Sequence, residues 1–471
     1  MKGAFDHQDY EDWRAKKTAK EFERKLQDQE LFYLDLIQVE EIYVFYFQSC
    51  QYDRARNLLH FALQTHPASA DLYFKLAQLD HEQNQYAQGL RQIEEALLLS
   101  PMVVDYALFK AELLARLDRF SEAEELLLEW QVLVDEPAAI LLQLGNLAQI
   151  CGLHEISEQY YRKSVAAAPD EQDALFELAF LLESMDRVKE GVQLYVDFLE
   201  EYPYAEMVWY NLGILYRKIG NYEKALEAFD YALIIQDDLT QAYLNKGLLL
   251  VEMNRTKEAL QAFLEASSAL PNDAYILYYV GECFENLELF QEAIRYYGKA
   301  SRLDPDFFDA WVGLGYCLEK KEKFLEAIHY YEKAQQLDDE QTDLCLSLAI
   351  CEYKLGNRMA AFRQLEKAIS LNPHDMAIWQ DWSQMLFESG NQSGAITYLE
   401  EAIKVNPSQV DLYYQCAAYC LNQQEREKGL LYLENALILD AGKHYMLYHI
   451  QPTLQRDPQI NSLVNAYSVI N

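Results

Sequence analysis

The residues of this chain that could do chemistry are nine histidines, eight cysteines and a large set of carboxylates. Cys416 and Cys420 stand four residues apart, so one helix face could present both to a metal ion. The histidines form no HExxH pattern and no zinc spacing with the cysteines. Glu200 and Glu201 end a helical segment and are not interpreted as a general acid–base pair. The sequence therefore predicts no catalytic residue, no metal site and no cofactor.

Composition and charge restrict the class of partner. The chain has 471 residues, 51% of them hydrophobic and 25% charged, with only 17 glycines and 11 prolines, which favours a folded helical protein. The formal net charge is −36. A protein that binds nucleic acid needs a basic surface, so nucleic acid is excluded as a partner. The acidic surface predicts a protein or peptide partner that is apolar or basic rather than acidic.

The cysteines and the first residues indicate the compartment. The eight cysteines are scattered without a CxxC pair, which is typical of reduced, buried thiols in a cytoplasmic protein. The first residues contain no apolar stretch of the kind found in a signal peptide. The most apolar early run, residues 31–47, is interrupted by Asp35, Glu40 and Glu41. We expect a cytoplasmic protein without a membrane span.

A period of 34 residues runs through the chain. Its pattern is clearest in one segment, where large and small residues recur at helical spacing: Trp209, Leu212, Gly213, Tyr216, Ala225, Phe229 and Ala232. Prolines near the end of the period keep the same register: Pro67, Pro101, Pro169, Pro203, Pro271, Pro305, Pro373 and Pro407. In this pattern the chain resembles the tetratricopeptide repeat family, with twelve tandem copies over residues 36–443.

The resemblance implies an all-α fold, a right-handed superhelical α-solenoid of antiparallel helix pairs. Residues 1–35 are expected to form a charged, solvent-exposed segment or capping helix. Residues 444–471 are expected to form capping helices, because Asp457 and Pro458 start a helix with an apolar stripe. A helix that docks a partner is the alternative for this last segment. No domain of catalytic size remains beside the repeats, so we predict that the protein is not an enzyme.

The position of a residue within its repeat distinguishes core residues from residues that could contact a partner. Numbering each repeat from 1 to 34, positions 4, 7, 8 and 11 form one face of the first helix and predict the core. Small residues at 8, 20 and 27 allow close helix approach, and a large residue at 24 fills the space between the helices. The cysteines at position 10, such as Cys317, and at positions 7 and 11 of the last repeat are therefore interpreted as core thiols.

In proteins of this family, a second stripe on the first helix, at positions 2, 5, 9 and 12, lines the concave groove that holds a partner's extended or helical segment. The aromatic candidates on this stripe are Phe74, Phe176, Phe180, Tyr210, Tyr278, Tyr316 and Tyr414. The acidic candidates at position 2 are Asp71, Asp105, Asp173, Asp309, Asp343 and Asp411. The amides at position 6, Asn211 and Asn245, could hold a partner's backbone, and Arg217 is a rare basic residue at position 12.

These features predict a non-enzymatic scaffold or adaptor for protein–protein interaction. A subtype of the family that clamps a partner's terminal carboxylate uses lysine at position 5, and no repeat here has one. Tyr275 and Tyr279 stand where that subtype has further basic residues. Two alternatives to the scaffold remain open: an assembly component that self-associates through its ends, and a regulatory subunit of an enzyme complex.

Overall fold

The computed structural model describes residues 7–28, 32–134 and 136–468. Twelve helix pairs follow one another in the order of the repeats. The first helices are α2 (Leu36–Gln48), α4 (Ala70–Glu82), α6 (Val104–Arg116), α8 (Pro137–Ile150), α10 (Asp173–Ser184), α12 (Glu206–Lys218), α14 (Thr240–Glu252), α16 (Ala274–Asn286), α18 (Phe308–Lys320), α20 (Thr342–Lys354), α22 (Met376–Glu388) and α24 (Val410–Asn422).

Each first helix is followed by a second helix that packs against it. The second helices are α3 (Tyr52–Thr65), α5 (Tyr86–Leu99), α7 (Phe120–Gln131), α9 (His154–Ala167), α11 (Val188–Glu201), α13 (Tyr222–Ile235), α15 (Thr256–Ala269), α17 (Phe290–Leu303), α19 (Phe324–Leu337), α21 (Arg358–Leu371), α23 (Gln392–Val405) and α25 (Arg426–Asp440). The predicted all-α solenoid of helix pairs is confirmed.

The helices form two compact units, and the boundary falls between α13 and α14. Before the first pair lies α1 (His7–Gln27), and after the last pair lie a short 3-10 helix (Ala441–His444), α26 (Tyr445–Ile450), a second 3-10 helix (Pro452–Arg456) and α27 (Pro458–Ser468). Within the described part of the chain, none of the helices combines the length and the apolar character that crossing a bilayer requires.

A glycine on the first helix makes room for an aromatic ring on the second helix of the same pair. A Cβ atom on Gly213 would lie 2.6 Å from the ring of Phe229, and one on Gly315 would lie 2.4 Å from the ring of Tyr331. Repeats with alanine at position 8 mostly carry leucine or isoleucine at position 24, as in Ala349 and Leu365. The two positions therefore compensate each other in volume, as a close-packed core requires.

The turn between the two helices has the same backbone in all twelve pairs. Position 15 has a positive φ angle in every repeat, between 53° and 85°. Four of these residues are glycines, and eight are not: Cys50, Asn84, Asp118, Asp186, Asn254, Glu288, Glu322 and Gln424. Glycine tolerates this left-handed conformation, whereas other residues are strained in it. This turn is thus fixed by repeat geometry rather than by its residue type.

Tryptophans at position 4 tie their repeats to the ones before them. The indole nitrogen of Trp209 donates to the carbonyl oxygen of Pro203 at 2.8 Å. Trp311 and Trp379 donate in the same way to the carbonyls of the prolines six residues earlier, at 2.9 and 2.8 Å. The proline that ends one repeat therefore also supplies the acceptor that orients the next helix.

Both ends of the repeats are packed against additional helices. The side chains of Ala19 and Phe22 on α1 are buried, and the ring of Phe22 meets that of Phe61 at 5.7 Å. The expectation of a solvent-exposed helix is wrong for these two residues, since they lie on an apolar stripe among the charges. At the other end, Asp457 accepts a hydrogen bond from the backbone of Gln459 at the start of α27, and Ile460 is fully buried.

Candidate functional site

The first helices of the unit before α14 line two apolar hollows. The one that comes later along the chain, which we call the second hollow, has a volume of about 390 Å³ and lies between α10 and α12. Its walls include Phe176 and Phe180 from one repeat and Asn211 from the next, three residues expected on the partner-binding stripe. The shared 34-residue register brings them together, because residues at positions 5, 6 and 9 of neighbouring first helices face the same space.

The chemistry of the second hollow is apolar with polar edges. Ala179, Tyr195 and Leu215 are buried and form its floor. Phe180 stands at its mouth with 60% of its side chain exposed. The amide of Asn211 has no hydrogen-bond partner among the described residues, so both its donor and its acceptor are available.

Two carboxylates border the second hollow. Glu183 is paired with Lys218 at 2.5 Å, whereas Glu177 has no ion pair with any described residue. The hollow therefore combines an apolar floor, an unpaired amide and one uncompensated negative charge. A hydrophobic side chain would fit the floor, a peptide group would fit the amide, and a nearby basic group would fit Glu177.

The first hollow, of about 410 Å³, lies on α4, α6 and α8. Phe74 and Asp105, both expected on the stripe, border it. The ring of Phe74 meets that of Phe109 edge-on at 5.3 Å. Asn146 lies on the opposite wall, and its side-chain oxygen accepts a hydrogen bond from the hydroxyl of Tyr161 at 2.8 Å.

Other residues expected on the stripe lie outside both hollows. Tyr210 is half-buried with its ring 6.0 Å from that of Phe229. Arg217 is half-buried and has an interaction partner within the protein. Asn245 donates to the carbonyl of Gln241 at 3.0 Å. These three side chains are engaged within the fold.

The stripe in the unit that begins at α14 contains three further aromatic candidates. Tyr278 is half-buried. Tyr316 is partly exposed, and the ammonium of Lys320 lies 4.9 Å from its ring centre. Tyr414 is fully buried, and its hydroxyl donates to the carbonyl of Asp440 at 2.8 Å. The expectation that Tyr414 lines a groove is wrong, because the segment after α25 packs over α24.

The aspartates at position 2 differ in their partners. Asp71 pairs with Lys75 at 2.6 Å and Asp411 with Lys443 at 2.8 Å. The remaining four are exposed and have no ion pair with a described residue: Asp105, Asp173, Asp309 and Asp343. Negative charge that is not neutralised thus remains along the stripe.

Two sets of residues that border hollows were not among the candidates predicted from sequence. The apolar residues Leu108, Phe109 and Ile214 border the hollows from positions 5, 6 and 9, and the same repeat register could have identified them. A separate hollow of about 320 Å³ lies on α11, α12 and α13, where Trp209 meets Tyr231 at 4.6 Å between ring centres. The sequence pattern assigned Trp209 to the core alone.

The residues that first suggested chemistry have structural roles. Cys416 and Cys420 are both buried, as expected of core thiols. Their mutual hydrogen bond, together with burial, raises the pKa of the Cys416 thiol. No cluster of three or more histidine, cysteine or acidic side chains suited to a metal ion occurs in residues 7–28, 32–134 and 136–468.

Comparison with known proteins agrees with the repeats. Tetratricopeptide repeat models match residues 75–136, 207–239, 244–300 and 285–341. The BBSome complex member BBS4 homolog of Drosophila melanogaster is 25% identical over 256 residues, which cover 51% of this chain and 52% of that protein. Human protein O-mannosyl-transferase TMTC1 is 28% identical over 145 residues, which cover 30% of this chain and 16% of that protein.

The chain thus spans about half, or less, of the length of these curated relatives. Among solved structures it is similar to YrrB, described as a tetratricopeptide repeat protein with an unusual peptide-binding site, at 24% identity and a TM-score of 0.36. That likeness covers 39% of this chain and 94% of YrrB. Together, the family matches and the helix pairs identify the chain as a tetratricopeptide repeat protein, a member of a family of generally non-catalytic scaffolds that bind proteins or peptides.

Proposed function

We propose that the chain binds an extended segment of a partner protein along the stripe formed by its first helices, with the second hollow as the main anchor. The observation that carries the proposal is that Phe176, Phe180 and Asn211, from two consecutive repeats, surround one opening. Exposed aromatic residues beside an apolar pocket commonly contribute most of the binding energy of an interface.

Each group in the second hollow has a defined part in this binding. A hydrophobic side chain of the partner enters the hollow and displaces water from the floor. Phe180 covers that side chain, and the amide of Asn211 pairs with the partner's backbone. Glu177 attracts a basic residue beside the anchor. The binding segment is therefore apolar with at least one neighbouring basic residue.

The test is a selection of random peptides on the full chain, followed by measurement of the selected peptides against single variants. Phe180→Ala removes an exposed ring and should leave the fold intact, while affinity falls by roughly tenfold or more. Leu98→Ala is the matched control, because Leu98 is also exposed, at 77%, but lies on the second helix α5. Equal binding by both variants and the wild-type chain would exclude the second hollow.

Self-association is the second candidate function. An open apolar groove of about 640 Å³ lies on α25 and α27, and Leu431 contributes a side chain that is 57% exposed. Light scattering of the full chain and of Leu431→Asp tests this candidate. A wild-type mass that is a multiple of 54.9 kDa, reduced to the monomer by the substitution, would support it. A monomeric wild-type chain would reject it.

A further inference from the structure

A face of tyrosines lies on α16 in the eighth repeat. We define the tyrosine face as Tyr275, Tyr278 and Tyr279, at positions 2, 5 and 6. Tyr275 is 58% exposed. Its ring and that of Tyr278 both pack on Phe307, at 4.7 and 5.1 Å between centres, and Tyr278 meets Tyr279 at 5.5 Å. The rings are therefore held in place by one another and by the end of the repeat.

Three carboxylates adjoin the tyrosine face. Burial, together with the negative charges of Glu285 and Asp309, raises the pKa of Glu282. The same three acids contribute to the raised pKa of Tyr278. Among the described residues, the carboxylates of Glu282 and Asp309 have no ion pair and no side-chain hydrogen bond. Lys320 is the nearby cation, but it lies over the ring of Tyr316, and burial still raises the pKa of Glu285.

The first two repeats hold a cation between two carboxylates and a tyrosine, with Glu40 and Tyr43 at positions 5 and 8, whereas Glu282 and Tyr278 occupy positions 9 and 5. Lys75, at position 6 of the second repeat, is only 8% exposed. Its ammonium binds Asp71 at 2.6 Å and Glu40 at 2.8 Å. It also lies 5.6 Å from the centre of the Tyr43 ring. This fold can thus hold a buried ammonium between two carboxylates and a tyrosine, all from neighbouring first helices.

The ninth repeat cannot supply that cation itself. Asp309 occupies position 2, as Asp71 does in the second repeat, but position 6 is Gly313 instead of a lysine. A Cβ atom at Gly313 would lie 2.7 Å from the ring of Tyr297. Asp309 therefore lacks the neighbouring ammonium that Asp71 has in the second repeat.

We propose that the tyrosine face and the adjoining Glu282 and Asp309 bind the charged end of a lysine or arginine side chain from a partner protein's segment. The incoming cation has the role that Lys75 has in the second repeat, with its charge against the carboxylates and its alkyl stem along the rings. The proposal rests on the proposed function, because it assigns a chemical preference to the first-helix stripe at a defined repeat.

The test compares two short apolar peptides that differ at one central residue, arginine or citrulline. Citrulline keeps the shape of arginine but carries no charge, so the ratio of the two affinities isolates the cation. We expect the full chain to prefer the arginine peptide by roughly tenfold. Glu282→Gln and Asp309→Asn should each reduce that preference. Glu332→Gln, an equal change of charge at an exposed site on α19, should leave it unchanged.

The ratio of the two affinities distinguishes a failure of this proposal from a failure of the proposed function. Phe180→Ala changes the second hollow and not the cation site, so it should weaken the binding of both peptides in equal proportion and leave the arginine preference intact. Equal affinity of the wild-type chain for the two peptides would overturn the cation site. Retention of the full preference by Glu282→Gln would overturn it as well. Circular dichroism of each variant verifies that the helices are intact.

Discussion

The ring of Tyr297 occupies the space in which a side chain at residue 313 would begin, because a Cβ atom on Gly313 would lie 2.7 Å from it. The hydroxyl of Tyr297 donates to Glu285 at 2.9 Å, which fixes the ring from its other end. The same ring also closes over Gly281 on the preceding first helix. Tyr297 is therefore held between Gly281 and Gly313 of consecutive repeats, and its ring leaves no space for a larger residue at either position.

Gly313→Ala should consequently destabilise the chain. The added methyl group forces Tyr297 or its helix to move, which costs about 1–3 kcal/mol of unfolding free energy. Gly298→Ala is the matched control, since its Cβ atom would meet its nearest neighbour at 3.6 Å. That change should stabilise the helix α17 by up to about 1 kcal/mol. Denaturant melts measure both, and a Gly313→Ala variant as stable as Gly298→Ala would contradict the packing.

Ala225→Leu should also overpack the fold. Ala225 is fully buried at position 20 of the sixth repeat, where the second helix lies close to the first. The larger side chain should cost roughly 1–3 kcal/mol of unfolding free energy in thermal or denaturant melts. Ala87→Leu, at an exposed position on α5, is the control and should have little effect. An unchanged melt for Ala225→Leu would show that this close approach does not exist.

The turn at position 15 has a positive φ angle in all twelve repeats, so glycine at this position should increase stability. Glu322 has φ of 57°, a conformation that strains any residue with a Cβ atom. Glu322→Gly should therefore raise the unfolding free energy by up to about 1 kcal/mol. The reciprocal change, Gly356→Glu, starts from φ of 84° and should lower it. Chemical denaturation measures both, and effects of the same sign would refute the explanation.

The pH dependence of stability should show the effect of ionising Glu282. Its pKa in the folded state is raised by burial and by Glu285 and Asp309, so its ionisation at neutral pH opposes folding. Glu282→Gln should accordingly raise the melting temperature at neutral pH. The gain should shrink as the pH falls through the raised pKa and disappear below the ordinary glutamate value of about 4.3. A gain that is the same at all pH values would contradict this assignment.

The periodicity of small and aromatic residues was enough to predict the helix pairs and their register. It succeeded because the volume at position 8 must match the volume at position 24, as in Gly213 and Phe229, and such pairs leave a trace in the sequence. The same reasoning predicted that Phe176, Phe180 and Asn211 share one stripe. It could not predict the hollow between them, whose size depends on how neighbouring helices pack.

Two features of the stripe depend on contacts that the repeat pattern does not encode. Tyr414 occupies a stripe position but is buried, because the segment after α25 folds back over α24. Lys75 neutralises Asp71 and Glu40 from position 6, whereas Gly313 leaves Asp309 without such a partner. Both outcomes follow from residues outside the repeated consensus, so the repeat pattern alone could not predict them.

Photo-crosslinking at the second hollow tests the central claim most directly. Benzoylphenylalanine in place of Phe180 puts a reactive group at the mouth of the hollow, and the same replacement of Leu98 puts one on an exposed second helix. With a peptide selected on the wild-type chain, we predict a crosslink from residue 180 and none from residue 98. A crosslink from residue 98 alone, or equal yields from both, would contradict binding along the first helices.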